Sequence, residues 1–160
     1  MNDDIKIVAI SKDINGLLVR FNGVKGSINC PSLVKMIRRI VPLPWIFQVI
    51  PYGEHKRSLE GILTELENHR ATICNLISNT SEEKKDYLDL LLQYSNCLSE
   101  SIILFLKIVT LLDGVSNNQV NYKWKDYIKD EDRFEESFES CCLLGDRLTM
   151  FYKKLIADIV

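Results

Sequence analysis

A chain of 160 residues suits one domain with its own core, and its 46% hydrophobic and 26% charged content excludes an intrinsically disordered protein. The net charge of −2 excludes the strongly basic balance of a protein devoted to nucleic acid. The charge is unevenly spread. Residues 1–57 carry nine Lys/Arg against four Asp/Glu, and residues 58–160 carry eleven against eighteen. The basic part can therefore close on the acidic part or face an anionic partner.

The first thirty residues read as a small β-meander over about 5–28. Ile5–Ser11 is rich in β-branched residues, Leu17–Phe21 is a second apolar run, and each is followed by an Asn-Gly pair, Asn15-Gly16 and Asn22-Gly23. Asn-Gly favours the type I′ turn of a hairpin because both central residues need positive φ. The competing reading is a frayed N-terminal helix. Next, Pro31–Val41 predicts a short basic helix with Leu33, Ile37 and Ile40 on one face and Lys35, Arg38 and Arg39 mostly elsewhere. Pro42 and Pro44 stop it and force an extended path. From Pro42 through Gly53 there is no charge, and Trp45, Phe47, Ile50 and Tyr52 stand out.

Three longer helices are expected after this. One covers about 56–78, with Leu59, Ile62, Leu66, Ile73 and Leu76 at helical spacing. A second starts at a capping box, Thr80 with Glu83, and ends at Asp113-Gly114 with glycine as a left-handed cap. A third starts at a second capping box, Asp132 with Glu135, and carries Phe134, Phe138, Cys141, Leu144, Leu148 and Phe151 on one stripe. The short link at Asn79-Thr80 makes the first two antiparallel neighbours. The fold expected is thus an α-rich α+β single domain: meander 1–30, short basic helix and Pro-rich apolar segment 31–53, and helical core 54–160.

Site chemistry is sparse. The Gly-rich phosphate loops, H-E-x-x-H and G-x-S-x-G do not occur. The only histidines are His55 and His69; Glu65 and His69 lie four apart on one helix face, which reads as a surface pair. The carboxylates from Asp130 to Glu139 read as a solvated helix start favoured by the macrodipole. Tyr122-Lys123-Trp124-Lys125 with Tyr127 interleaves bases and aromatics, a pattern able to stack on single-stranded bases, or simply to cover apolar surface with lysine stems. Five cysteines at an odd count, without C-x-x-C spacing, predict free thiols in a reducing compartment. The acidic start Met1-Asn2-Asp3-Asp4 is unlike a secretory signal.

These observations lead to the expectation of a cytoplasmic, soluble, non-catalytic protein-binding module acting as regulator, adaptor or inhibitor. No cofactor, metal or transmembrane segment is expected. The expected partner-binding residues are Trp45, Phe47, Ile50 and Tyr52, rimmed by Lys35, Arg38 and Arg39 against an acidic protein surface. The competing role for the same aromatics is to plug one end of the helical core. The alternatives are a helical nucleic-acid-associated factor using the basic helix 31–41, and an enzyme with an unrecognised site. Homo-oligomer formation is compatible with each.

Overall fold

The computed structural model describes residues 3–29 and 50–157, and these form four long helices: α1 (Asp3–Asn29), α2 (Tyr52–Asn79), α3 (Glu82–Ser116) and α4 (Trp124–Ala157). In α1, Ile7, Ile10, Ile14, Leu17, Phe21, Val24 and Ile28 are all buried. They recur in alternating steps of three and four, a seam that a helix presents on one side and a strand cannot.

This corrects the β-meander. No strand occurs among the described residues, and no described glycine has positive φ. The two Asn-Gly pairs lie seven residues apart, one helical heptad, and fall on the exposed side of α1. The turn signal is local, whereas burying seven large side chains in one seam is a tertiary gain that outweighs it. The short basic helix 31–41 and most of the Pro-rich segment lie outside the described residues.

The other helices repeat the pattern. α2 buries Leu59, Ile62, Leu66, Ile73 and Leu76. α4 turns Phe134 and Cys141 fully inward, with Phe138, Leu144, Leu148 and Tyr152 half-buried beside them. α3 packs on all three other helices. Accordingly its buried residues come in adjoining pairs such as Tyr87/Leu88, Leu90/Leu91 and Ile108/Val109. Contacts at Ser11–Tyr87 and Phe21–Phe105 rise together along α1 and α3, so these two are parallel. Tyr87–Tyr152 and Lys107–Asp130 run oppositely, so α3 and α4 are antiparallel. The two-residue link Thr80-Ser81 makes α2 antiparallel to α3. The result is an up-down-up-down bundle in which α2 and α4 pack most extensively on α3, while α1 packs chiefly along α2 and also reaches α3.

Three boundaries differ from the sequence reading. Ser81, not Thr80, is the N-cap of α3, and its side chain makes no capping bond. The left-handed residue after α3 is Asn118, with φ 55°, not Gly114. Gly114 is instead needed for space, since a Cβ there would lie 2.8 Å from Val120 Cγ2. Finally, α4 starts at Trp124 rather than Asp132, because Tyr127, seven residues before Phe134, extends the packed stripe.

Glycines separate the two readings of α1 experimentally. A Cβ at Gly16 or Gly23 would meet nothing within 4 Å, whereas one at Gly145 would sit 3.2 Å from Tyr94 Cε2. Gly16→Ala and Gly23→Ala should each stabilise the protein by about 0.5–1 kcal/mol, the difference between the two residues inside a helix. Gly145→Ala should fall short of that gain because the Tyr94 ring must shift. Denaturant unfolding of the three variants checks this, and a loss at Gly16 and Gly23 would instead point to left-handed turn positions.

Candidate functional site

The bundle end where α3 gives way to α4 carries the most exposed aromatic side chain among the described residues, Trp124. After Ser116 the chain turns back, with the Gln119 and Val120 amides donating to the Gly114 carbonyl at 2.8 and 3.3 Å. Asp130 then clamps the connection from α4. Its carboxylate accepts from Lys107 Nζ at 2.7 Å and from the Tyr122 hydroxyl at 2.9 Å. Burial alone would raise the Asp130 pKa, but these two bonds, with the nearby Lys107 and Arg133 charges, hold it below the usual carboxylate range. The Tyr122 hydroxyl is pushed well above its ordinary range by burial and by donating to Asp130.

On this clamped base stands Trp124. Its ring stacks on Tyr127 at 5.2 Å and 21°, and Tyr127 donates to Glu131 Oε1 at 3.0 Å. Trp124 nevertheless remains 69% exposed. Ile128 lies one turn further on the same face, and Val115 and Val120 are exposed at this end as well. Lys123, Lys125 and Lys129 are exposed close by in sequence, as is Asp126. Exposed apolar side chains flanked in sequence by charged ones are an arrangement suited to docking.

The sequence-predicted binding residues are only partly reached. Trp45, Phe47, Lys35, Arg38 and Arg39 lie outside the described residues. Ile50 and Tyr52 are half-buried and pack against the core, and the Tyr52 amide donates to the Ile50 carbonyl at 2.9 Å. They enter α2 at the same bundle end as Trp124, because α2 and α3 are antiparallel. Trp124 itself stood in the sequence among bases and aromatics, but its exposure needed the position of α4 to be seen.

Other sequence candidates resolve differently. Glu65 accepts from Arg20 Nη1 at 2.8 and 2.7 Å, tying α2 to α1 rather than pairing with His69. The carboxylates beyond Asp130 are not at a helix start, since α4 begins at Trp124, so the macrodipole does not account for them. Glu131 engages Tyr127 and Glu135 pairs with Lys25 at 3.3 Å. Among the described residues no group of three or more His, Cys, Asp or Glu is placed to hold a metal ion, and no helix is long and apolar enough to cross a membrane.

One cleft opens between α1, α3 and α4, about 200 Å³ in volume, with Ile14, Leu91 and Leu148 below and Ser11, Asn15, Tyr87, Thr149 and Tyr152 around it. Pockets for drug-sized ligands run to roughly 300–1,000 Å³, so this one is small. Two of its hydroxyls already engage each other, Ser11 and Tyr87 lying 2.8 Å apart.

Neither a family model, nor a curated protein, nor a solved structure matches this chain.

Two measurements check the geometry. Asp130 has a lowered pKa, so its contribution to stability is present above the unfolded-state carboxylate pKa and is lost as pH falls through the folded value. Asp130→Asn should therefore cost about 1 kcal/mol at neutral pH, and the gap to wild type should close as the pH drops below the ordinary carboxylate range. The thiols give a second check. Cys74 and Cys142 are exposed, Cys97 is half-buried, and Cys141 is buried with its pKa pushed up to about 12, chiefly by burial. In the native protein a thiol reagent should modify Cys74 and Cys142 rapidly and Cys97 and Cys141 only slowly, denaturation releasing the latter two.

Proposed function

We propose that this chain is a non-catalytic protein-binding module, a regulator, adaptor or inhibitor, whose partner docks on the bundle end that displays Trp124. The supporting observation is the 69% exposure of that indole on a rigid base. Tryptophan is among the residues that most often dominate binding hot spots, and a ring already oriented by stacking on Tyr127 loses little entropy when covered. Ile128, Val115 and Val120 extend the apolar area, and exposed apolar patches mark interaction sites. The exposed Lys123, Lys125 and Lys129 favour a partner whose contact surface is acidic around an apolar pocket.

A nucleic-acid partner is the second reading, since the outer face of Trp124 can stack on a base between lysines. The acidic run from Asp130 to Glu139 along the same helix works against it by repelling phosphates.

Capture of native partners on immobilised wild type and Trp124→Ala tests the reading. The variant should melt within a few degrees of wild type, because the side chain is mostly in water, yet lose the captured protein. A large fall in melting temperature would make Trp124 a packing residue, and unchanged capture would place the binding surface elsewhere. Binding to single-stranded oligonucleotides that weakens steeply with salt would favour the second reading.

A further inference from the structure

The outward side of α4 carries a second pattern, remote from Trp124. Glu139, Leu143, Asp146, Arg147, Met150 and Lys154 recur at steps of three and four and so share one helix face. That face is opposite the inward stripe of Phe134, Phe138, Cys141, Gly145, Leu148 and Tyr152. All six residues are exposed, and Leu143 and Met150 are each 62% exposed, unusual for large apolar side chains on the solvent side of a bundle. None of the four charged residues takes part in an ion pair among the described residues. Lys154 only leans over the Phe151 ring, 5.9 Å from its centre.

The order along this stripe is self-complementary when reversed. Placing two copies of α4 antiparallel, with a two-fold axis between positions 146 and 147, sets Leu143 opposite Met150, Asp146 opposite Arg147, and Glu139 opposite Lys154. Each pairing then occurs twice, as a two-fold interface requires. The apolar pair lies at the centre of the face and the opposite charges lie on either side and beyond, as in paired helices whose flanking charges set orientation.

We propose that the outward face of α4 is a self-association surface, on which a second copy of this chain docks antiparallel through Leu143, Asp146, Arg147, Met150, Glu139 and Lys154. The parallel arrangement is disfavoured on the same residues, because it would align like charges. A single helix pair gives a small interface, so the dimer dissociates on dilution. The proposal stands apart from the binding role of Trp124, since roughly 30 Å of helix separates Trp124 from the axis at 1.5 Å per residue.

Sedimentation of the full chain over a concentration series tests it. Wild type should pass from monomer to dimer as concentration rises. Arg147→Asp places Asp opposite Asp146 twice and should weaken the dimer by about tenfold or more. The exchanged variant, Asp146→Arg with Arg147→Asp, recreates both opposite-charge pairings and should restore it. Leu143→Gln with Met150→Gln should abolish it, while Trp124→Ala should leave it unchanged. Circular dichroism should show all variants folded, as every substituted side chain is exposed. A chain monomeric to about 1 mM, a dimer indifferent to Arg147→Asp, or an exchange that fails to restore it would each overturn the proposal.

Discussion

The packing of Phe21 is the contact on which this bundle depends. Its side chain is fully buried and meets three other rings edge-on, Phe105 at 5.7 Å, Phe134 at 6.2 Å and Phe138 at 5.7 Å. Those rings belong to α3 and α4, so a single residue of α1 is gripped by both. Phe105 and Phe134 lie 5.0 Å apart and close the cluster from the other side. Edge-to-face arrangements suit the ring quadrupoles, and each such pair adds to the burial of large apolar surface. Lys25, one turn further along α1, covers the cluster from outside. Its ammonium lies 4.2 Å from the Phe138 ring centre and 3.3 Å from Glu135. α1 has no short described link to the rest of the bundle, so its packing along α2 and this cluster, with the Arg20–Glu65 pair and the Ser11–Tyr87 hydrogen bond, fix its position.

The same constraint shapes the surfaces. α4 is covered on its inner side by α3 and, through Phe21 and Lys25, by α1, and its outer side faces water. Side chains on that outer side are thereby free to serve contacts other than folding. At the start of α4 the clamp of Asp130 on Lys107 and Tyr122 fixes the connection from α3, which holds Trp124 and Tyr127 in one orientation. Rigidity at the base and exposure at the tip are thus consequences of one arrangement. The two fully buried serines, by contrast, bond inside the protein: Ser95 Oγ returns to the Leu91 carbonyl at 2.7 Å, and the Ser101 and Ser137 hydroxyls meet at 2.8 Å across α3 and α4. Such bonds satisfy buried hydroxyls without offering them to a ligand.

Much of the fold was legible in the sequence. Helical periodicity and the short link after Asn79 led to an antiparallel helical core, and the structure has it. Those features rest on local physics: periodic burial and chain length. The N-terminal region was misread because β-branched content and Asn-Gly pairs are local signals that mimic hairpins. The seam from Ile7 to Ile28 was also present in the sequence, and its strict three-four alternation was the better guide. The start of α4 was misread for a related reason, as acidic residues resembling a capped first turn are engaged instead by Lys107, Tyr122, Tyr127 and Lys25 from neighbouring positions.

What the tertiary structure alone decided is which side of each periodic helix faces inward and what stands at the exposed ends. The sequence by itself determined that this chain is largely helical and that its helices bury one stripe each. It could not show that Gly145 makes room for Tyr94, that Glu65 is taken by Arg20 rather than His69, or that Trp124 stands in water while Phe134 does not. Aromatic and charged residues read alike in sequence whether buried, paired or exposed. Their fate depends on partners far away along the chain, and the packing of four helices supplies those partners.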